Sequence, residues 1–227
     1  MTKDEVVKKL KSLGTEQCRK IYARHGASDK QCGVKFADLY KIQKEIKQDH
    51  ELAKELWKTG IDEAMILATL VADPEKFSKA EAEKWVKDVE YFMVSGYLSG
   101  LVAKMKELDE IFEKWSKSDK EYHKACAYSA ISSYLRDGGK LSAAKAKKIL
   151  ASIEKEIHDS PNRARYSMNN TLIAIGTYID ELHKEALATA KRIGPVEVIH
   201  GTKGCKTPDA HSYILKSYER RKKKEKK

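Results

Sequence analysis

The chain has 227 residues, 41% hydrophobic and 35% charged, with 4 prolines and a formal net charge of +11. This length allows one large domain or a repeat array with a substantial core. No apolar run approaches the roughly 18 residues of a membrane-spanning helix, and the N-terminal MTKDEVVKKLKSLG has no apolar signal-peptide core, so a cytoplasmic location is expected.

Ala, Glu, Lys and Leu recur throughout, which points to an all-α chain. Twelve or thirteen helices and no convincing strand are predicted, over about 3–13, 15–25, 35–48, 50–59, 61–72, 78–89, 91–105, 107–117, 119–137, 142–158, 161–176, 179–193 and 208–224. Gly14, Gly26, Gly33 and Gly60, Asp73-Pro74, Gly138-Gly139 and Ser160-Pro161 supply the breaks. Three of these helices, at 63–73, 122–135 and 163–176, mix small residues with Leu and Ile, and small residues let helices approach closely. More charged helices at 78–89, 107–117 and 142–158 lie between them in sequence. That alternation predicts a HEAT-like α-solenoid, a curved superhelical stack of antiparallel helix pairs; a compact helical bundle is the alternative. Residues 1–218 are expected to form one domain, and 219–227 a basic, disordered tail.

Residues 161–176, PNRARYSMNNTLIAIG, are the most informative stretch. Pro161 suits a first helical position, with Ser160 as N-cap and Gly176 at the end. Met168, Leu172 and Ile175 make an apolar face; Arg163, Ser167 and Asn170 fall opposite it, and Arg165 and Asn169 stack one turn apart. Arg and Asn are multi-donor groups suited to phosphate oxygens and base edges, although they also cap neighbouring helices. The later segment GPVEVIHGTKGCKTPD, 194–209, places His200, Lys203 and Lys206 among two glycines. It is either a phosphate cradle or a connector, and Thr207-Pro208-Asp209 is the predicted start of the last helix, with Thr207 as cap.

Charge is unevenly spread: 14 basic and 9 acidic side chains in 1–60, 9 and 13 in 61–120, 15 and 10 in 121–218, and 7 and 2 in 219–227. Two basic ends flanking an acidic middle suit a polyanion held at both arms. Cys18, Cys32, Cys126 and Cys205 form no CxxC pair, the seven histidines are scattered, and no metal or cofactor is expected.

Three stretches carry a resemblance: KIQKEIKQDHELAKELWKTGIDEAMILATLVADP at 41–74, SPNRARYSMNNTLIAIG at 160–176 and VEVIHGTKGCKTPDAHSYI at 196–214. Together they resemble the DNA alkylation repair family, the AlkD-like proteins. The resemblance implies a C-shaped stack of HEAT-like helical pairs with a concave basic groove for duplex DNA. Active members are similar to glycosylases that excise N3- and N7-alkylated purines without fully flipping the base, unlike most glycosylases. Their motif supplies a Trp and, one turn later, an Asp that stabilises the developing oxocarbenium ion. Here Phe92 stands at the Trp position and Gly96 at the Asp position, and 91–103 contains no acid. Ile173 replaces an arginine of active members. Tyr91, Phe92 and Tyr97 read as core packing or as a residual aromatic site. Asp62, Glu63, Asp73 and Asp137 are other acids, and their spacing singles out none.

These readings predict a DNA-binding protein of the repair family that grips duplex, damaged or branched DNA as a monomer, with weak or no base excision. Its contacts are expected from Arg24, His25 and Lys35 in one arm, Arg163, Arg165, Asn169 and Asn170 at the centre, and Lys203 and Lys206 with the tail in the other arm. No catalytic residue is assigned and no membrane partner is expected. An active alkylpurine glycosylase with a displaced acid is one alternative, and a protein–protein scaffold, a common use of helical solenoids, is the other.

Overall fold

The structure is a computed structural model that describes residues 1–202 and 204–226. Among these residues it contains thirteen α-helices and no strand. In chain order the helices are α1 Lys3–Leu13, α2 Glu16–Arg24, α3 Phe36–Ile46, α4 His50–Trp57, α5 Asp62–Val71, α6 Lys79–Trp85, α7 Phe92–Val102, α8 Leu108–Trp115, α9 Glu121–Arg136, α10 Ala143–Glu156, α11 Asn162–Tyr178, α12 His183–Ile193 and α13 Ala210–Glu225. Two 3₁₀ turns, Val86–Asp88 and Asp180–Leu182, intervene. Two compact units result, Met1–Ile111 with His200–Gly204, and Phe112–Ile199 with Cys205–Lys227. No helix among the described residues is long and apolar enough to cross a membrane.

Local side-chain caps explain six of the helix starts among the described residues. Thr2 with Glu5, and Ser78 with Glu81, form reciprocal capping boxes on α1 and α6. Asp49 caps α4 by accepting the Leu52 N–H at 3.0 Å.

In the first unit α5 is the central helix, with Ala64–Thr69 wholly buried and packed against α4, α7 and α3. Trp57 and Trp85 stack beside it, ring centres 4.1 Å apart, and the Trp57 Nε1–H donates to Asp88 at 2.9 Å. Two acids at the start of α5 hold the loop between α2 and α3. Asp62 accepts from the Ser28 N–H at 2.9 Å and from its hydroxyl at 3.1 Å. Glu63, 3% exposed, accepts the N–H groups of Cys32, Gly33 and Val34 at 2.8, 2.6 and 3.1 Å. Gly33 sits at φ +77°, in the left-handed region that lets its N–H join this set.

In the second unit α11 is central, packed on α9, α13, α12 and α10. Its contact with α9 is a polar ladder: the Ser129 hydroxyl donates to Ser167 at 2.8 Å, and the Ser132 and Thr171 hydroxyls lie 2.9 Å apart. Met168, Leu172 and Ile175 are fully buried, as the periodicity predicts. Ser167 is buried as well, because α11 is enclosed on more than one side.

Four details differ from expectation. Gly176 does not end α11; the helix continues to Tyr178, and a Cβ at Gly176 would lie 2.9 Å from both Ala186 Cβ and Ile214 Cγ2, so the glycine permits close packing of α12 and α13. Ser160 does not cap α11; its hydroxyl donates to the Glu156 carbonyl at 2.8 Å, and the Glu121 carboxylate accepts the Arg163 N–H at 2.7 Å instead. Asp209 rather than Thr207 caps α13, accepting the Ser212 N–H at 2.8 Å. The boundary expected at 218 falls inside α13, which runs on to Glu225. Asp180 holds this last stretch by pairing with Arg221 and Lys222, while Tyr218 stacks on His183 with ring centres 3.8 Å apart.

Replacing Glu63 by Ala removes the partner of three buried N–H groups, at about 1–3 kcal/mol for each buried donor left unsatisfied. A destabilisation on the order of 3–5 kcal/mol is expected in denaturant titrations; a loss below about 1 kcal/mol contradicts the loop's dependence on this carboxylate. The Lys222 ammonium and then the Arg221 guanidinium hold the Asp180 carboxyl below the usual carboxylate range. A lowered folded pKa stabilises above the unfolded value of about 3.9 and is lost as pH falls through the folded one. Acidification below about pH 4, or Asp180→Asn at neutral pH, is therefore expected to lower the amide-exchange protection of residues 219–225 relative to an unstructured chain at the same pH. Unchanged exchange in Asp180→Asn rules out the clamp.

Candidate nucleic-acid interface

Within the first unit, the end of α2 and the start of α3 are tied together. The Tyr22 hydroxyl donates to the Val34 carbonyl at 2.9 Å, and the Tyr22 ring lies 5.7 Å from that of Phe36. Burial raises the Tyr22 phenol to a pKa of about 12, so it stays protonated and keeps donating. This link places exposed Arg24 and the C-cap residue His25 in the same region as exposed Lys35, the N-cap residue of α3. Lys35 makes no side-chain cap bond. The glycine at 201 lies against the same helix end: a Cβ there would meet the Arg24 carbonyl oxygen at 2.4 Å. Lys203 lies outside the described residues.

Helix α7 carries Phe92 and Gly96, the two positions the sequence sets against the Trp and Asp of the resembled family. Tyr91 is buried at its N-cap, and Phe92, Met93 and Tyr97 are half-buried. Gly96 is exposed, and a Cβ at Gly96 or Gly100 would meet nothing within 4 Å. The helix therefore presents backbone rather than a carboxylate between its aromatic side chains. His25 approaches Phe92 edge-on at 6.5 Å.

The other acids have structural work. Asp62 and Glu63 hold the 28–34 loop, and burial pushes the Asp62 carboxyl up. Asp73 accepts the Glu75 N–H at 3.0 Å, and Asp137 pairs with Arg136 at 3.1 Å.

Within the second unit, Arg163, Arg165 and Asn170 are half-buried along α11. Asn169 is only 1% exposed and donates through Nδ2 to the Pro208 carbonyl at 3.0 Å, so it positions the entry to α13 rather than reaching a ligand. Its Oδ1 and the Nε of Arg165, one turn away, are buried without a hydrogen-bond partner. Ile173 is 8% exposed and belongs to the core. Lys206 is exposed. Asn162, which the sequence reading overlooked, clamps the 194–199 segment with both ends of its amide: Nδ2 donates to the Ile199 carbonyl at 2.9 Å, and Oδ1 accepts the Ile199 N–H at 2.7 Å. An amide beside Pro161 at a helix start is a weak signal for such a clamp. On α13, Lys216, Arg220, Lys223 and Lys224 line a surface hollow with Glu219.

The thirteen α-helices of the described residues, with no strand among them, define an all-helical protein. The profile described as DNA alkylation repair enzyme matches residues 6–214, and the chain belongs to that family. It is 30% identical over 227 residues to an uncharacterized protein of Listeria innocua serovar 6a, covering 97% of this chain and 99% of that one. It is likewise 30% identical over 229 residues to an uncharacterized protein of Listeria monocytogenes serovar 1/2a, covering 98% and 100%. A solved structure, described as a new family of proteins related to the HEAT-like repeat DNA glycosylases with affinity for branched DNA structures, superposes with a TM-score of 0.88. That structure is 30% identical in sequence, with 97% of this chain and 95% of that chain covered.

The open space at Gly96 makes a steric prediction. Gly96→Asp is expected to fold with stability equal to the parent or up to about 0.5 kcal/mol higher, since Gly is the poorer helix former. A loss above about 1 kcal/mol in thermal or denaturant melts contradicts an open face there.

Proposed function

We propose that the protein binds duplex, damaged or branched DNA through its phosphates and has weak or no base-excision activity. The observation that carries this reading is the bare face of α7: Gly96, which the resemblance sets against the Asp of active members, is exposed and without a side chain. A carboxylate at this point stabilises positive charge on the sugar, and loss of one preorganised group of this kind costs on the order of 10²–10³ in rate. Asp62, Glu63, Asp73 and Asp137 are committed to hydrogen bonds or an ion pair, so none supports a displaced acid.

Binding needs only cations held where phosphates can reach them. Arg24 and Lys35, with His25, are the contacts in the first unit; Arg163, Arg165, Asn170 and Lys206 are those in the second. Lys203 joins this set by its place in the sequence. Asn169 supports it indirectly through Pro208. The solved relative described as having affinity for branched DNA structures makes branched DNA the first substrate to try.

Affinity for a forked duplex is expected to fall at least tenfold between about 50 and 200 mM salt. Lys35→Ala is expected to weaken binding equally across sequences and to lower the salt slope by about 1. Salt-independent binding contradicts phosphate recognition. With DNA containing N7-methylguanine, abasic sites are expected to accumulate at little more than the spontaneous rate; release accelerated above about 100-fold contradicts the reading of α7.

A further inference from the structure

Aromatic rings from three helices of the first unit form a continuous row. Tyr22 of α2 lies 5.7 Å from Phe36 of α3, and Phe36 stacks on Tyr97 of α7 with centres 6.0 Å apart and planes 15° from parallel. The Tyr97 hydroxyl lies 2.8 Å from the hydroxyl of Tyr40, one helical turn beyond Phe36. The inner end of the row is anchored to the Val34 carbonyl, whereas Tyr40 at the outer end is 44% exposed.

A single exposed tyrosine is ordinary on a protein surface. This one differs in being held by a second hydroxyl on a neighbouring helix, so its ring is already ordered before any partner arrives. Beside Tyr97, Gly96 and Gly100 leave the surface of α7 bare. A Cβ at either glycine would meet nothing within 4 Å, so a flat group has room to approach the helix there. The charged surroundings favour an anion. Lys35 immediately precedes Phe36 and is exposed, as are Arg24 and Lys44, while Asp38, the acid nearest in sequence, is engaged by Lys41 at 2.7 Å. A planar group carried on an anionic chain describes a nucleotide whose base is unpaired, since a duplex buries its base faces in stacking. Base–aromatic stacking of this kind tolerates any sequence.

We infer that Phe36, Tyr40 and Tyr97 form a stacking platform for an unpaired base of single-stranded or branched DNA. The inference rests on the DNA-binding reading given above and adds a component that phosphate contacts do not supply. It gives the protein a reason to prefer DNA with an unpaired arm over continuous duplex, independent of salt.

The test uses the full-length protein with two DNAs: a plain duplex, and the same duplex carrying an unpaired thymidine arm with one 2-aminopurine. Saturation is expected to quench the 2-aminopurine emission. Tyr40→Ala is expected to weaken binding of the armed DNA by about 5- to 100-fold and to leave duplex affinity within about twofold. Tyr40→Phe, which keeps the ring and loses the hydroxyl pair, is expected to retain most of the preference. Bright 2-aminopurine at saturation, or equal losses on both DNAs in Tyr40→Ala, overturns the platform while leaving phosphate binding intact. Failure of both DNAs to bind at low salt overturns both readings together. The quenching measurement on the parent protein keeps the test valid if the alanine variant folds poorly.

Discussion

The carboxylate of Glu63 gathers three successive backbone N–H groups, from Cys32 to Val34, beneath the start of α5. A buried charge on its own is costly, but one that accepts several hydrogen bonds is tolerated and holds its donors tightly. Its place at the N-terminus of α5 adds the favourable end of the helix dipole. The loop so held determines where α2 stops and α3 begins, and hence where Arg24, Lys35, Phe36 and Tyr40 stand. The adjacent Asp62 has donors from Ser28 alone, and its carboxyl is pushed up by burial. Two neighbouring acids thus divide the work: one carries most of the backbone, and the other trims the loop's edge.

Much of the architecture was legible in the sequence because the signals that end helices are local. Gly, Pro and Asp-Pro breaks put all thirteen helices within a few residues of their observed spans, and the small-residue helices at 63–73, 122–135 and 163–176 are the buried α5, α9 and α11. What escaped the sequence depends on partners far along the chain. The cap of α11 is Glu121, 42 positions before Arg163, so Ser160 looked like the better candidate. Asn169 carries the same donors as Asn170, but only the fold reveals that its amide is spent on Pro208. Gly176 reads as a helix end in one dimension and as a contact point between three helices in space. The aromatic row was half visible: Phe92 and Tyr97 stood out in the motif, whereas Phe36 and Tyr40 lie on α3 and have no sequence pattern linking them to α7.

Helix α7 brings these two levels together. On the proposed reading this helix corresponds to the one that carries a carboxylate in active members, and here the turn in question is glycine. Loss of a side chain there removes a chemical group and also opens the helix surface. On the proposed reading, the surface serves recognition in place of bond cleavage. Close approach and fixed rings, which such recognition needs, are both features of this helix and its neighbours.

The C-terminal helix shows how ordering alters the value of charge. Arg221 and Lys222 face Asp180 and Glu225, while Lys216, Arg220, Lys223 and Lys224 line the surface hollow. A disordered tail would offer all of its cations on equal terms. A folded one sorts them into a set already neutralised by protein acids and a set open to outside anions. For Arg221 and Lys222, meeting a phosphate means giving up a carboxylate, an exchange with little net gain. The protein's effective charge toward a polyanion is therefore smaller, and more directional, than its +11 formal charge implies.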